Sequence, residues 1–250
     1  QRLQREHDMS LIPTLFCVVR ARPSLGRARG ALRRIALLGM LAMCWAWSAP
    51  ALAGDGVLEI NQTCAVQTGC FAGDTAGVSV TINGSAARSY RLTSDLVVPS
   101  ENSTGILIST ENISIDLAGF EIRGPVVCSV APLACVPNAG TGLGIDVAAT
   151  SLSGISVRNG FIRGMGAGGL FLGPKAEVAR LRVRSNGGVG ISVGSASTVS
   201  DNIAYQNRDN GIDSPQGGST VTGNTVSENG FDGIGAGGGS TVSGNTAYEN

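Results

Sequence analysis

The sequence predicts an all-β chain wound into a stacked solenoid. Three observations predict it: a repeat of 21 or 22 residues, apolar residues aligned in columns across that repeat, and Asn and Gly recurring in step with it. Val157, Val178, Val199, Val221 and Val242 form one column, and Ile162, Val183, Ala204, Val226 and Ala247 a second. Leu170, Ile191, Ile212 and Ile234 form a third. Asn186, Asn207, Asn229 and Asn250 keep the same period, the first three each followed four residues later by Gly190, Gly211 or Gly233.

Each coil is expected to hold three short strands. That is too little chain to bury its own aliphatic side chains, so coils must stack about 4.8 Å apart and share one core. Burying a Val, Ile or Leu there contributes roughly 1.5 to 3 kcal/mol. The repeated Asn residues can hydrogen-bond to their own images as an amide ladder. Glycine supplies the corners, where φ turns positive, and the 37 Gly and 4% aromatic content agree with such a chain.

Residues 1–53 read as a presequence. Arg27, Arg29, Arg33 and Arg34 precede an apolar run from Ile35 to Trp47, and Ala51, Leu52 and Ala53 give a small-residue cleavage pattern before Gly54. The run is about 13 residues, whereas a membrane span needs about 20, so a secretory signal is expected and no span after its removal. The chain begins with Gln and contains Met9, so its first residue is expected to lie upstream of the true start.

Residues 54–90 are then an N-terminal cap with the first coil, and residues 91–250 the solenoid. Cys64, Cys70, Cys128 and Cys135 allow three connectivities. Their grouping in two close pairs suggests bridges Cys64 to Cys70 and Cys128 to Cys135, in keeping with an exported protein. Each loop of about seven residues stabilises by roughly 2 kcal/mol in the chain-entropy view. The second pair falls in the stretch from Gly124 to Gly142, which interrupts the repeat. Leu117 and Val157 match in position but lie 40 residues apart, one coil plus a loop of about 19 residues. At the far end Asn250 stops midway through a coil, so the chain is expected to continue or to be covered by a partner, with end-to-end association as a further outcome.

Of the 18 basic residues 8 precede residue 54, against 2 of the 18 acidic ones, leaving 10 basic and 16 acidic residues and a net charge near −6. That balance argues against a nucleic acid partner. His7, Trp45 and Trp47 also lie before residue 54, so the exported part has neither His nor Trp. It therefore has no imidazole base and no His-dependent nucleophile.

The segments YRLTSDLVVP (Tyr90 to Pro99), GILISTENISIDLAGFEIRG (Gly105 to Gly124) and STVTGNTVSENGFDGIGA (Ser219 to Ala236) resemble the right-handed parallel β-helix repeat family, the broad pectate-lyase-like superfamily. The resemblance covers about residues 78–250 and implies a right-handed parallel β-helix, and at about 21 to 25 residues per turn the segment after residue 53 makes roughly eight coils. Members include pectate lyases, polygalacturonases, alginate epimerases, tailspikes and adhesins, so it implies no single activity. The polygalacturonase pattern uses Gly-His-Gly and the epimerases use His near the sugar. This chain supplies neither.

Arg180, Arg182 and Arg184 alternate with Leu181 and Val183, so all three are expected to face solvent. Across coils, Arg123, Arg163 and Arg184 fall in one column that Tyr205, Ser227 and Tyr248 continue, a row about 24 Å long. Asp201 lies one coil beyond Arg180 and could pair with it, with Glu121 a further acidic neighbour of the row. Such a row would suit an extended anionic polysaccharide, with Tyr205 and Tyr248 under sugar rings. Asp209, Asp213 and Asp232 are the best available carboxylates for calcium, the only cofactor left open. A secreted or periplasmic carbohydrate-binding or surface-associated solenoid is the favoured reading. A polysaccharide lyase acting on acidic glycans and a structural adhesin module are the alternatives.

Overall fold

The computed structural model describes residues 56–84, 87–130, 132–137 and 140–250. The expected signal segment and its cleavage point lie outside the described residues.

A coil contains three strands, as at Ile191–Val193, Thr198–Ser200 and Ile203–Tyr205. The next coil repeats them at Ile212–Ser214, Thr220–Thr222 and Thr225–Ser227. First strands stack into a seven-stranded parallel sheet, while second and third strands share a thirteen-stranded one. In two earlier coils the second and third strands run on without a break, as Ser156–Arg163 and Glu177–Arg184. Seven stacked first strands make about seven turns, close to the eight that length alone suggests. A short helix and an inserted hairpin take up the remaining chain.

The apolar columns are realised in register. Val157 lies beside Val178, Val178 beside Val199, Val199 beside Val221 and Val221 beside Val242. Ile162, Val183, Ala204, Val226 and Ala247 stack likewise, as do Leu170, Ile191, Ile212 and Ile234. Strands are short because the chain must turn inward every few residues, and alternation sends one set of side chains into the shared core. One match shifts: Val157 stacks on Ile115, not Leu117. The corner between Asp116 and Glu121 is two residues longer than its counterpart between Arg158 and Phe161, because Asp116 Oδ1 accepts the Ala118 N–H at 2.8 Å and starts an extra turn.

Two amide ladders run through the stack. In the predicted one, each Nδ2 donates to the next Oδ1, from Asn186 to Asn207 at 2.9 Å, Asn207 to Asn229 at 3.1 Å and Asn229 to Asn250 at 2.8 Å. A second ladder joins Asn202, Asn224 and Asn245 at 3.0 Å per step. It follows a corner where Asn159, Arg180, Asp201, Gly223 and Gly244 all have φ between 54° and 68°. Asn, Asp and Gly tolerate that left-handed conformation, whereas Arg180 adopts it at a cost of about 1 kcal/mol.

The N-terminal end is closed by side chains. Asn61 caps the helix Gln62–Gln67, its Oδ1 accepting the Cys64 N–H at 2.9 Å, and the Cys64–Cys70 bridge ties down the segment that follows. Buried Asp74 accepts N–H groups from Cys70 at 2.8 Å and from Thr81 at 2.9 Å, satisfying the outermost first strand, Val80–Ile82. Tyr90 is fully buried against Phe71, and its hydroxyl donates to the Ala87 carbonyl at 2.9 Å.

The interruption after Gly124 is an antiparallel hairpin, Val127–Val130 with Leu133–Val136, bridged by Cys128–Cys135. It lies along the stack instead of joining a coil. Val126 N–H donates to Gly164 one coil on, Cys135 Sγ sits 3.7 Å from the Asn186 carbonyl oxygen, and Leu133 reaches Gly230. The bridge faces inward, and Val127 and Val136 face solvent, each 71% exposed.

Candidate functional site

The third strands present the predicted row. Arg123 lies beside Arg163, Arg163 beside Arg184, Arg184 beside Tyr205, Tyr205 beside Ser227 and Ser227 beside Tyr248. A parallel second row runs Glu121, Phe161, Arg182, Ile203, Thr225 and Thr246. Both rows point outward because Ile122, Ile162, Val183, Ala204 and Val226, the residues between them, are buried in the core.

The members of the row are not equivalent. Arg163 donates from Nε to Glu121 Oε1 at 2.6 Å, so its charge is already partly answered. Arg184 is half-buried because its guanidinium lies over the Tyr205 ring, 5.9 Å from the centroid. Arg123 and Arg182 are exposed and unpartnered among the described residues. Ser227 is buried, whereas Tyr248 is half-exposed. Arg180 does not pair with Asp201. Its corner position turns the side chain back to the preceding coil, where Nε donates to Asn159 Oδ1 at 2.8 Å.

Sequence reasoning missed the basic residues of the second strands. Arg91, Asp116 and Arg158 stack in one column. Arg158 Nε lies 3.2 Å from Asp116 Oδ2, and Asn159 Nδ2 donates to both carboxylate oxygens at 3.2 Å. Burial alone would push Asp116 up, but the Ala118 N–H, the Asn159 amide and the Arg158 guanidinium together hold its carboxyl below the ordinary range. Arg91, Arg123, Arg158, Arg163, Arg180, Arg182 and Arg184 thus place seven of the ten basic residues that follow residue 53 on strands of one sheet.

Of the three calcium candidates, Asp213 lies on the first strand Ile212–Ser214, while Asp209 and Asp232 stand in the turns just before the first strands of two successive coils. Burial pushes the Asp213 carboxyl up, the Asn210 side chain partly opposes this, and the charges of Asp209 and Asp232 add to it. Asp209 instead accepts the Asn210 N–H at 2.9 Å, and Asn210 accepts the Asp232 N–H at 3.0 Å. Among the described residues no three His, Cys, Asp or Glu side chains gather closely enough to hold a metal ion. The trio is a set of neighbouring charges, not a cage. Asp146 on the same sheet is also raised by burial, partly offset by the Val147 N–H.

Among the described residues no helix is long and apolar enough to cross a membrane. A family model described as the right handed beta helix region matches residues 75–250. No curated protein and no solved structure matches the chain.

Proposed function

The chain belongs to the right-handed β-helix family, and from that premise we propose that it is an exported protein that binds acidic polysaccharide along the outer face of its larger sheet. Export is supported by the basic and apolar segment before residue 54 and by two disulfides. The observation that carries the binding reading is the row of Arg123, Arg163, Arg184, Tyr205, Ser227 and Tyr248, one residue per coil, on a chain whose exported part is net acidic. Guanidinium groups recognise carboxylates in a bidentate way, and tyrosine rings offer apolar faces to sugars. A row along the stacking axis fits an extended chain better than a compact ligand.

Catalysis has less support. Asp146 and Asp213, the carboxyls held high, lie three coil steps apart through Phe171 and Ser192, about 14 Å at the strand spacing. Hydrolysis of a glycosidic bond uses paired carboxylates roughly 5 to 9.5 Å apart, so these two do not make a hydrolase pair.

Affinity electrophoresis in gels containing pectate, alginate or a neutral glucan tests the reading. The protein is expected to be retarded by the two uronates alone, with the effect fading as salt rises. The pair Arg182→Ala and Arg184→Ala is expected to abolish most of it. Equal mobility in all gels would discard the proposal.

A further inference from the structure

A concavity lies on the second-strand face near the N-terminal end, lined by Val57, Ser89, Arg91, Ser114, Asp116 and Arg158. Ser89 stacks on Ser114, and these two short side chains form a floor alongside the column of the longer Arg91, Asp116 and Arg158. The floor is half-buried.

The groups around it are unevenly committed. Both Asp116 oxygens are occupied, Oδ1 by the Ala118 N–H and the Asn159 amide, and Oδ2 by the Asn159 amide and Arg158 Nε. Arg158 spends only its Nε in this way, which leaves its terminal amino groups without an acceptor among the described residues. Arg91 makes no hydrogen bond or ion pair among the described residues, and neither do the hydroxyls of Ser89 and Ser114. The pocket therefore offers two guanidinium groups and two hydroxyls as donors, while its one carboxylate has no acceptor capacity left over.

We propose that this pocket, built by Ser89, Arg91, Ser114 and Arg158, binds a single carboxylate group of an acidic sugar. The planar fork of Arg91 takes both carboxylate oxygens, and the remaining Arg158 donors and the serine hydroxyls complete the set. Glu59 is the neighbour of Arg91 in the strand before it, yet it forms no ion pair with Arg91 and does not line the pocket. Its charge weakens the site without filling it. The choice of an acidic sugar as the carboxylate's source rests on the polysaccharide-binding reading, while the site itself is separate from the third-strand row, on another strand set.

Titration of the exported protein with galacturonate, galactose and inorganic sulfate, followed by NMR, tests it. Saturable binding of galacturonate but not galactose is expected. Arg91→Ala should weaken it about tenfold or more, Glu59→Gln should tighten it, and Lys175→Ala, outside the pocket, should leave it unchanged. Arg91→Lys, which keeps the charge without the fork, should recover only part of the loss. Galacturonate binding more tightly than sulfate identifies an acidic sugar as the ligand. Sulfate binding as tightly, binding of galactose, or an Arg91→Ala variant with undiminished affinity would each overturn the assignment, whatever the outcome in the polysaccharide gels.

Discussion

The side-chain amide of Gln62 stands in for a missing strand beside Val97: Oε1 accepts the Val97 N–H at 2.6 Å and Nε2 donates to the Val97 carbonyl at 3.4 Å. Val97 belongs to Leu96–Val97, the first third strand of the stack, which has a strand neighbour on one side alone. Such an open edge would otherwise invite another chain. Gln62→Ala is expected to cost about 1 to 2 kcal/mol and to raise the tendency to associate. Thermal melting and light scattering on wild type and variant check both effects.

Side-chain amides should respond to position. Asn207 is fully buried, and its amide serves Asn186, Val183 and Asn229 at once. Asn207→Ala leaves those groups unpaired and is expected to cost about 3 kcal/mol or more. Gln206→Ala removes a half-buried side-chain bond on the outer surface, from Gln206 Nε2 to Glu228 Oε2 at 2.8 Å, and should cost no more than about 1 kcal/mol. Denaturant unfolding of the two variants compares them directly.

Asp116 sets an acid dependence. Its folded pKa lies below its unfolded value, so the stability it provides is full at neutral pH and is lost as pH falls through the folded value. Asp116→Asn should lower stability at pH 7 by about 1 kcal/mol, and the two proteins should converge at pH values below the ordinary carboxylate range. Melting curves across pH measure the convergence.

Glu121 opposes the basic face. It is the one carboxylate on the third strands of the described coils, and it holds Arg163 at 2.6 Å. Glu121→Gln should release that guanidinium, tighten binding to polyuronate severalfold and steepen its salt dependence. Retardation in pectate gels at two salt concentrations reads this out.

The disulfide hairpin should behave as an accessory. Replacing Cys128 and Cys135 with Ser is expected to cost roughly 2 kcal/mol at most, confined to the hairpin and the turns it covers near Asn186 and Gly230. Hydrogen exchange should show faster exchange there and unchanged protection in Glu177–Arg184.

What the sequence revealed follows from what the repeat preserves. Columns such as Val157 to Val242, and the row from Arg163 to Tyr248, are legible because neighbours in space stand one repeat apart in the chain. The bridges are legible because each closes a short loop. Contacts outside the period are not. Gln62 meets Val97 across 35 residues with no repeat between them, and the longer corner after Asp116 moves Ile115 into the place that spacing assigns to Leu117. The ladder through Asn202, Asn224 and Asn245 does keep the period, but Asn following a turn residue reads as loop chemistry until its burial is known. Arg91 escaped because its partners in the pocket come from coils on either side of an irregular corner.

Residues adjacent on the outer surface are separated by a whole circuit of backbone, so any molecule lying across the coils samples the gene at strides of 21 or 22 codons. Copying or deleting one such unit would lengthen or shorten the contact by a single step while leaving the seams on either side chemically unaltered. Reach along a ligand and grip on each of its units are thereby open to change by different kinds of mutation.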